Sequence, residues 1–183
     1  MIYFVRHGET EYNKQGRSQG RADIPLNEVG IFQAEKTSEK LKNTNIDIIY
    51  SSPLSRAINT AQIINKYHNA KIIIDERINH YDVGERQGEL FGKWPEEKKQ
   101  EYINNPEKHG AESYQHFYDR VIDFYKTIEN QEKDILIVSH GGVYMNIYRY
   151  INGYTDLSQK VERQPLENTE FTVIKKEKIW YIL

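Results

Sequence analysis

The sequence predicts an α/β fold, in which a doubly wound, mostly parallel sheet carries helices on both faces. Two observations predict it. Four short runs, at residues 2–5, 46–50, 71–75 and 134–139, are rich in β-branched residues and apolar almost throughout, which is typical of strands covered on both faces. The segments between them repeat apolar residues every three or four positions, as helices packed on a sheet do. Such alternation is typical of parallel strands joined by right-handed crossovers.

Four of the predicted helices have a face that should pack on the sheet. Each face is recognised by apolar or small residues at helical spacing. The faces comprise Ile31, Ala34, Ser38 and Leu41, then Ala57, Ala61 and Ile64, then Phe117, Val121, Phe124 and Ile128, and finally Val143, Ile147 and Ile151. Each helix is therefore expected to bury one side and to expose the other.

Two segments depart from this alternation. The stretches 171–176 and 179–183 are strand-like and close together, and they predict a C-terminal β-hairpin. Segment 86–113 contains glycines and prolines around a short charged helix, and it predicts a lid-like insertion over the active site. We find no linker, repeat or low-complexity tract, so residues 1–183 are expected to form a single domain.

Composition restricts the classes of partner. The net charge is −2 and the 28% of charged residues are mixed in sign, which gives no basic stripe for nucleic acid. The absence of cysteine excludes disulfides and thiolate chemistry. No run approaches the roughly 20 apolar residues of a membrane span, and the N-terminus is too short for a signal peptide. We expect a cytoplasmic protein, monomeric or homodimeric, without nucleic-acid or membrane partners.

Basic side chains follow three of the predicted strands. Arg6 and His7 follow the first strand, Arg56 comes shortly after the second, and His140 directly follows the fourth. Taken singly, each has a simpler explanation: a turn with solvated side chains, a surface arginine, or a helix cap. Ligands of open α/β sheets, however, bind outside the carboxyl ends of the strands. The four side chains are therefore expected to converge there.

Such a cluster predicts a phosphate site. Two arginines, two histidines and the N-terminus of a helix after Gly141 together suit a tetrahedral dianion, because guanidinium groups donate paired hydrogen bonds and a helix N-terminus favours negative charge. A histidine between arginines should have a lowered pKa, since nearby positive charge disfavours the imidazolium form. A neutral imidazole is a nucleophile.

Six motifs in a fixed order resemble the histidine phosphatase superfamily, in its phosphoglycerate-mutase-like branch. They are "VRHGETEYN" (5–13), "GRADIPLNEVGIFQA" (20–34), "SSPLSRAINTA" (51–61), "GAES" (110–113), "VSHGGV" (138–143) and "LENTEFTVI" (166–174). The short chain resembles the compact phosphatases of this group, such as α-ribazole phosphatase and broad-specificity phosphomonoesterases.

The resemblance implies a phosphatase that acts on a small phosphorylated metabolite without metal or other cofactor. His7 would attack phosphorus and become a phosphohistidine, which water then hydrolyses. The phosphoryl oxygens would be held, and their developing charge stabilised, by side chains that converge on them. The residues expected to bind the phosphate are Arg6, Asn13, Arg56, His140 and Gly141.

The general acid departs from the family pattern. Where the family has a glutamate that protonates the leaving oxygen, this chain has His80, followed two residues later by Asp82. Either His80 or Asp82 supplies the proton, or the acid is missing. Loss of general acid catalysis typically costs about 10² to 10⁴ in rate.

Three functions besides this phosphatase are compatible with the sequence. The first is a mutase-type phosphotransferase, although members with that activity are generally longer. The second is a catalytically weakened module that only binds phosphoesters. The third is a metal-activated hydrolase whose ligands would include His7, His80, His140, Asp82 and Glu9, but the neighbouring arginines would repel a cation.

Overall fold

The computed structural model describes residues 1–157, 161, 166–175 and 178–181. Its strands are β1 (Ile2–Arg6), β2 (Ile48–Ser51), β3 (Lys71–Ile74), β4 (Ile135–Ser139), β5 (Phe171–Lys175) and β6 (Lys178–Tyr181). They form one sheet in the order β3-β2-β4-β1-β5-β6. Strands β1 to β4 run parallel, whereas β5 pairs antiparallel with β1, and β6 with β5. The mostly parallel sheet and the terminal hairpin are confirmed, and predicted hairpin residues 176, 182 and 183 lie outside the described residues.

Helices cover both faces of this sheet, as predicted. They are α1 (Glu11–Gln15), α2 (Glu28–Leu41), α3 (Ser55–Ile64), α4 (Glu96–Asn104), α5 (Tyr114–Ile128) and α6 (Gly141–Ile151). Strand β4 is buried along its whole length: Ile135 and Ile137 pack in the core shared with α5 and α6, while Leu136 and Val138 pack in the core shared with α2 and α3. A strand buried on both sides explains the continuous apolar run.

The predicted helix faces are confirmed except at the start of α2. The prediction that Ile31 faces the sheet is wrong, because this residue is 43% exposed and Gly30 is buried in its place. The reason is close backbone contact: a Cβ atom added to Gly30 would lie 2.1 Å from the carbonyl oxygen of Glu9. The first turn of α2 is thus packed against the loop after β1. Ile151, at the end of α6, is only partly buried.

The carboxyl ends of β1, β2 and β4 lie side by side. Arg6 is paired with Ser139 in register, and the amide of His7 donates a hydrogen bond of 2.9 Å to the Ser139 carbonyl. Chain segments leaving these three strands therefore begin within one small area. In the part of the chain that is described, no helix has the length and apolar character needed to cross a membrane.

Replacing Gly30 by alanine is expected to destabilise the fold. The added methyl group would meet backbone atoms of Glu9, which cannot move aside as a side chain can, and overpacking typically costs about 1–3 kcal/mol. Urea denaturation measures this loss. Gly92→Ala is the matched control, because a Cβ atom there meets nothing within 4 Å and should change stability by less than about 0.5 kcal/mol. Equal stability of the two variants would contradict the close contact.

Candidate active site

Three imidazole rings meet at the carboxyl edge of the sheet. The ring centroids of His7 and His140 are 5.1 Å apart, and those of His80 and His140 are 4.9 Å apart. The guanidinium groups of Arg6 and Arg56 lie near enough to lower the pKa of all three rings. The structure therefore brings together the four residues expected to converge, and adds His80 to them.

The His7 ring is held in one tautomer by the backbone. Its Nδ1 atom lies 2.7 Å from the carbonyl oxygen of Gly8, which can only accept a hydrogen bond, so Nδ1 carries the hydrogen. The backbone on either side is also held: the Gly8 amide donates to the Thr60 hydroxyl, and the Asn168 carboxamide donates to the His7 carbonyl at 2.7 Å. In the neutral ring, Nε2 is left with a lone pair.

Arg56 is fully buried and is held by carbonyl oxygens rather than by a carboxylate. It donates hydrogen bonds of 2.7 Å to the Ala22 carbonyl and 2.9 Å to the Gly20 carbonyl, and its buried Nε atom has no hydrogen-bond partner among the described residues. Burial lowers its pKa to about 10, against the attraction of Asp23. Arg56 is thus still a cation at neutral pH, with a donor that suits an anion.

Arg6 and Gly141 lie together at the ends of β1 and β4. The Arg6 side chain donates a hydrogen bond of 3.0 Å to the Leu166 carbonyl. A Cβ atom added to Gly141 would lie 3.9 Å from Arg6 Nε, which places the start of α6 against the arginine. Gly141 is the first residue of that helix. The predicted cation and helix N-terminus are therefore neighbours.

His140 precedes α6 but does not cap it. Its side chain makes no capping hydrogen bond, which removes the simpler explanation of this residue. Its Nε2 atom lies 2.8 Å from the Ser52 hydroxyl, while Nδ1 is buried and has no hydrogen-bond partner in the part of the chain that the structure describes. An unpartnered buried donor or acceptor costs about 1–3 kcal/mol, which a ligand at this atom would relieve.

The two candidates for the general acid are in different surroundings. His80 Nδ1 lies 2.8 Å from the Tyr81 carbonyl, and its ring contacts that of His140. The Asp82 carboxylate instead accepts a hydrogen bond of 3.1 Å from the Gly84 amide and lies 3.7 Å from Arg21. None of the Asp82 contacts among the described residues reaches a histidine. Only His80 is brought to the cluster.

Asn13 is engaged in a helix cap. The side-chain carboxamide oxygen of Asn13 accepts hydrogen bonds from the Thr10 backbone amide at 3.2 Å and from the Thr10 hydroxyl at 3.1 Å. The backbone amide of Asn13 donates to that hydroxyl. This reciprocal pair begins α1. Its Nδ2 atom makes no hydrogen bond to a described residue. The structure therefore shows Asn13 ordering the loop after His7, and leaves one donor for a ligand.

A buried ion pair that sequence reasoning missed holds the His80 segment. Arg120 donates hydrogen bonds to the carbonyl oxygens of Arg77, Asn79 and His80, and to the Glu112 carboxylate at 2.6 Å. Both charged side chains are largely buried, with 11% and 7% exposure. Glu112 belongs to the quoted "GAES" motif, but Arg120 is in no motif. Its contact across some forty residues could not be read from periodicity.

Charge and burial keep the three imidazoles neutral. Burial is the largest cause that lowers the pKa of His7 and of His140 well below its usual range, and the Arg56 charge is the next that lowers it. Burial likewise lowers the pKa of His80 to about 4, helped by Arg56 and Arg86. The expected lowering by neighbouring arginines is thus present, but desolvation exceeds it.

A cavity of about 470 Å³ opens beside His80. Segment 86–113 supplies one wall, including Arg86, Phe91 and Tyr102, and the α5 residue Phe117 lies on another. Trp94 packs against Phe91 and Tyr102 and is not among the lining residues. A larger hollow of about 630 Å³ between α2 and α3 contains none of the candidate residues, so we assign ligand binding to the smaller cavity.

No three His, Cys, Asp or Glu side chains in the described ranges are arranged to hold a metal ion.

Lowering the pH from 7 to 5 is expected to destabilise the protein. His80 has a pKa of about 4 in the folded state, but it takes up a proton near pH 6.5 when unfolded. Between these values the unfolded state binds more protons than the folded state. The free energy of unfolding therefore decreases as the pH is lowered, by up to about 1.4 kcal/mol per pH unit for each such histidine. Urea denaturation from pH 4 to pH 8 measures the slope. His80→Gln should reduce it, and an unchanged slope in that variant would contradict a neutral His80.

Comparisons with known proteins agree with this geometry. A family model of the histidine phosphatase superfamily (branch 1) matches residues 2–178. Phosphoserine phosphatase 1 of Hydrogenobacter thermophilus is 33% identical over 185 residues, covering 96% of this chain and 86% of its own. The metal-independent phosphoserine phosphatase of Arabidopsis thaliana is 35% identical over 158 residues, covering 80% and 66%. The structure of an Entamoeba histolytica phosphoserine phosphatase with 3-phosphoglyceric acid has a TM-score of 0.71 at 26% identity, covering 93% and 88%. The resemblance read from the motifs is confirmed, and the chain belongs to the histidine phosphatase superfamily.

Proposed function

We propose that this protein is a metal-independent phosphatase that hydrolyses a small phosphomonoester through a phosphohistidine on His7. The observation that carries the proposal is the state of the His7 ring: it is neutral, its Nδ1–H is engaged by the Gly8 carbonyl, and Nε2 retains its lone pair near two guanidinium groups. We call the positively charged site formed by Arg6, Arg56, His140 and the start of α6 the phosphate cradle. A neutral imidazole in this cradle can attack a phosphate dianion. The phosphatase relatives support the same reaction.

The reaction has two displacements at phosphorus. In the first, His7 Nε2 forms a bond to phosphorus as the bond to the ester oxygen breaks, and the leaving alkoxide takes up a proton. In the second, water attacks the phosphohistidine, releases inorganic phosphate and restores the neutral ring. The negative charge on the transferring group is stabilised by Arg6 and Arg56. Asn13 Nδ2 and the amide at Gly141 are further donors to it.

Two buried, unpartnered nitrogen atoms support a phosphate ligand in this cradle. They are Arg56 Nε and His140 Nδ1. If the Ser52 hydroxyl donates to His140 Nε2, then His140 Nδ1 carries the hydrogen and is a donor. Both atoms then hydrogen-bond to phosphoryl oxygens, which relieves the cost of leaving them buried and unpaired. Binding of the dianion and stabilisation of its transfer use the same donors.

We propose His80 rather than Asp82 as the group nearest the leaving oxygen. His80 contacts the His140 ring and lines the cavity, whereas the Asp82 carboxylate is engaged by Gly84 and Arg21. Its Nδ1–H donates to the Tyr81 carbonyl, so the proton would be delivered from Nε2. Bound phosphate dianion favours the imidazolium form, since an adjacent negative charge raises the pKa of a histidine.

A mutase is not better supported than a phosphatase, and the geometry of the site disfavours a module that only binds phosphoesters. The relatives give a mutase activity no stronger support than they give a phosphatase activity. The close histidines and buried Arg56 argue against a module whose chemistry has decayed. We propose a single domain whose segment 86–113 covers the site, acting in the cytoplasm as a monomer or homodimer. The absence of cysteine is consistent with a reducing compartment.

His7→Ala should lose both turnover and the phosphoenzyme. We expect turnover of 4-nitrophenyl phosphate to fall by at least about 10³-fold, because the nucleophile is removed. Brief mixing with a ³²P-labelled substrate, followed by alkaline denaturation, measures the acid-labile phosphate. His68→Ala, which alters a histidine outside the cradle, is the control and should retain both. Turnover by His7→Ala at the wild-type rate would refute His7 as the nucleophile.

The two acid candidates are separated by their dependence on the leaving group. His80→Ala should lower kcat/KM for ethyl phosphate by about 10²-fold and affect 4-nitrophenyl phosphate much less, because a nitrophenolate leaves without a proton. Asp82→Ala should affect the two substrates alike. Steady-state kinetics of both variants on both esters decides between them. A selective loss on ethyl phosphate in Asp82→Ala would assign the proton to Asp82 instead.

A further inference from the structure

The cavity beside His80 is lined mainly by aromatic rings. Phe91, Tyr102, Tyr114 and Phe117 lie around it, and Tyr81 joins them. Their rings contact one another, with centroids 5.8 Å apart for Phe91 and Tyr102 and 5.4 Å apart for Tyr81 and Phe117. Its volume of about 470 Å³ is in the range of small-ligand sites. Such walls favour a flat, apolar group over a hydrated one.

One cationic side chain, that of Arg86, lines this aromatic cavity. The Arg86 guanidinium carbon lies 4.5 Å from the ring centroid of Phe91 and 5.3 Å from that of Tyr102. Its Nε atom is buried without a hydrogen-bond partner, and Arg86 makes no ion pair with any residue that the structure describes. Two nearby cations are bound differently: Arg120 is paired with Glu112, and Lys98 lies 3.6 Å from Glu85. Arg86 therefore has forked donors that remain for an anion.

The cavity also adjoins the phosphate cradle. His80 and Gly142 are among its lining residues, and the His80 ring contacts that of His140. A phosphoester bound in the cradle would therefore place its leaving group in this cavity. The carboxylates of segment 86–113 are not among the lining residues. The only formal charge that the described lining offers to the leaving group is the positive charge of Arg86.

We propose that the leaving group of the substrate is an aromatic ring bearing a carboxylate, with the ring held between the aromatic walls and the carboxylate bound by Arg86. This inference rests on the proposed function, since it assumes that phosphate lies in the cradle. In this proposal Arg86 determines substrate specificity and takes no part in phosphoryl transfer. Guanidinium and carboxylate match in geometry, because two parallel N–H groups can donate to the two carboxylate oxygens.

Three phosphoesters test the ring and the charge separately. They are 4-carboxybenzyl phosphate, its neutral isostere 4-carbamoylbenzyl phosphate, and the flexible 6-phosphonooxyhexanoate; all three release alcohols, so the basicity of the leaving group is nearly matched. We expect kcat/KM for the carboxybenzyl ester to exceed that for the carbamoyl ester by at least about 10-fold. It should exceed that for the hexanoate by about 3- to 10-fold.

Variants of Arg86 then test whether this residue binds the substrate carboxylate. Arg86→Leu should bring the ratio of carboxybenzyl to carbamoylbenzyl kcat/KM to about 1, and Arg86→Lys should retain part of it. Lys98→Leu is the matched control: it removes a cation stacked 3.8 Å from the Trp94 ring in the same segment, outside the cavity, and should leave the ratio unchanged. The wild-type ratios need no variant, so they decide the matter even if an Arg86 variant folds poorly.

The two proposals fail in different ways. Equal kcat/KM for the carboxylate and the carboxamide, or a preference for the flexible hexanoate, would overturn the inference while ³²P is still trapped on His7. A ratio that persists in Arg86→Leu would also overturn it. If none of the three esters is hydrolysed and no phosphate is trapped on His7, the proposed function itself fails, and this inference fails with it.

Discussion

The site depends on one buried charge, that of Arg56, which has no carboxylate at hydrogen-bond distance among the residues that the structure describes. Moving a cation out of water is costly unless polar groups replace its hydration, and here the Gly20 and Ala22 carbonyls do so. A directly paired carboxylate would have neutralised the charge. Carbonyl dipoles stabilise the guanidinium yet leave its field acting on its neighbours, so Arg56 lowers the pKa of three histidines and attracts an anion.

The histidines illustrate how backbone groups can determine protonation. His7 and His80 each place Nδ1 beside a carbonyl oxygen, of Gly8 and Tyr81 respectively, and burial keeps both rings neutral. A carbonyl cannot donate, so it selects the tautomer in which Nε2 carries the lone pair. The close packing of Gly30 against Glu9 holds the loop that follows His7. The reactivity of the ring is therefore supported by close backbone packing as well as by charge.

The opposite side of the site is held by side chains from distant elements. Arg120 on α5 binds three carbonyls of the segment that carries His80, and Glu112 joins Arg120 to the Asp82 amide. These bonds anchor the chain where it departs from the family pattern. The cavity that follows takes one wall from segment 86–113 and others from Tyr81, Tyr114 and Phe117, so the aromatic residues around the leaving group are separate from those that hold the phosphate.

The sequence by itself determined the α/β layers and the arrival of Arg6, His7 and His140 at one edge, because the periodicities of strands and helices are local and parallel strands share their carboxyl ends. The failure at Ile31 shows the limit of periodicity where backbones touch. Only the tertiary structure decided that His80 rather than Asp82 lies on His140, and that Arg86 reaches the cavity. Those placements depend on contacts between separate segments, and no local pattern encodes such contacts.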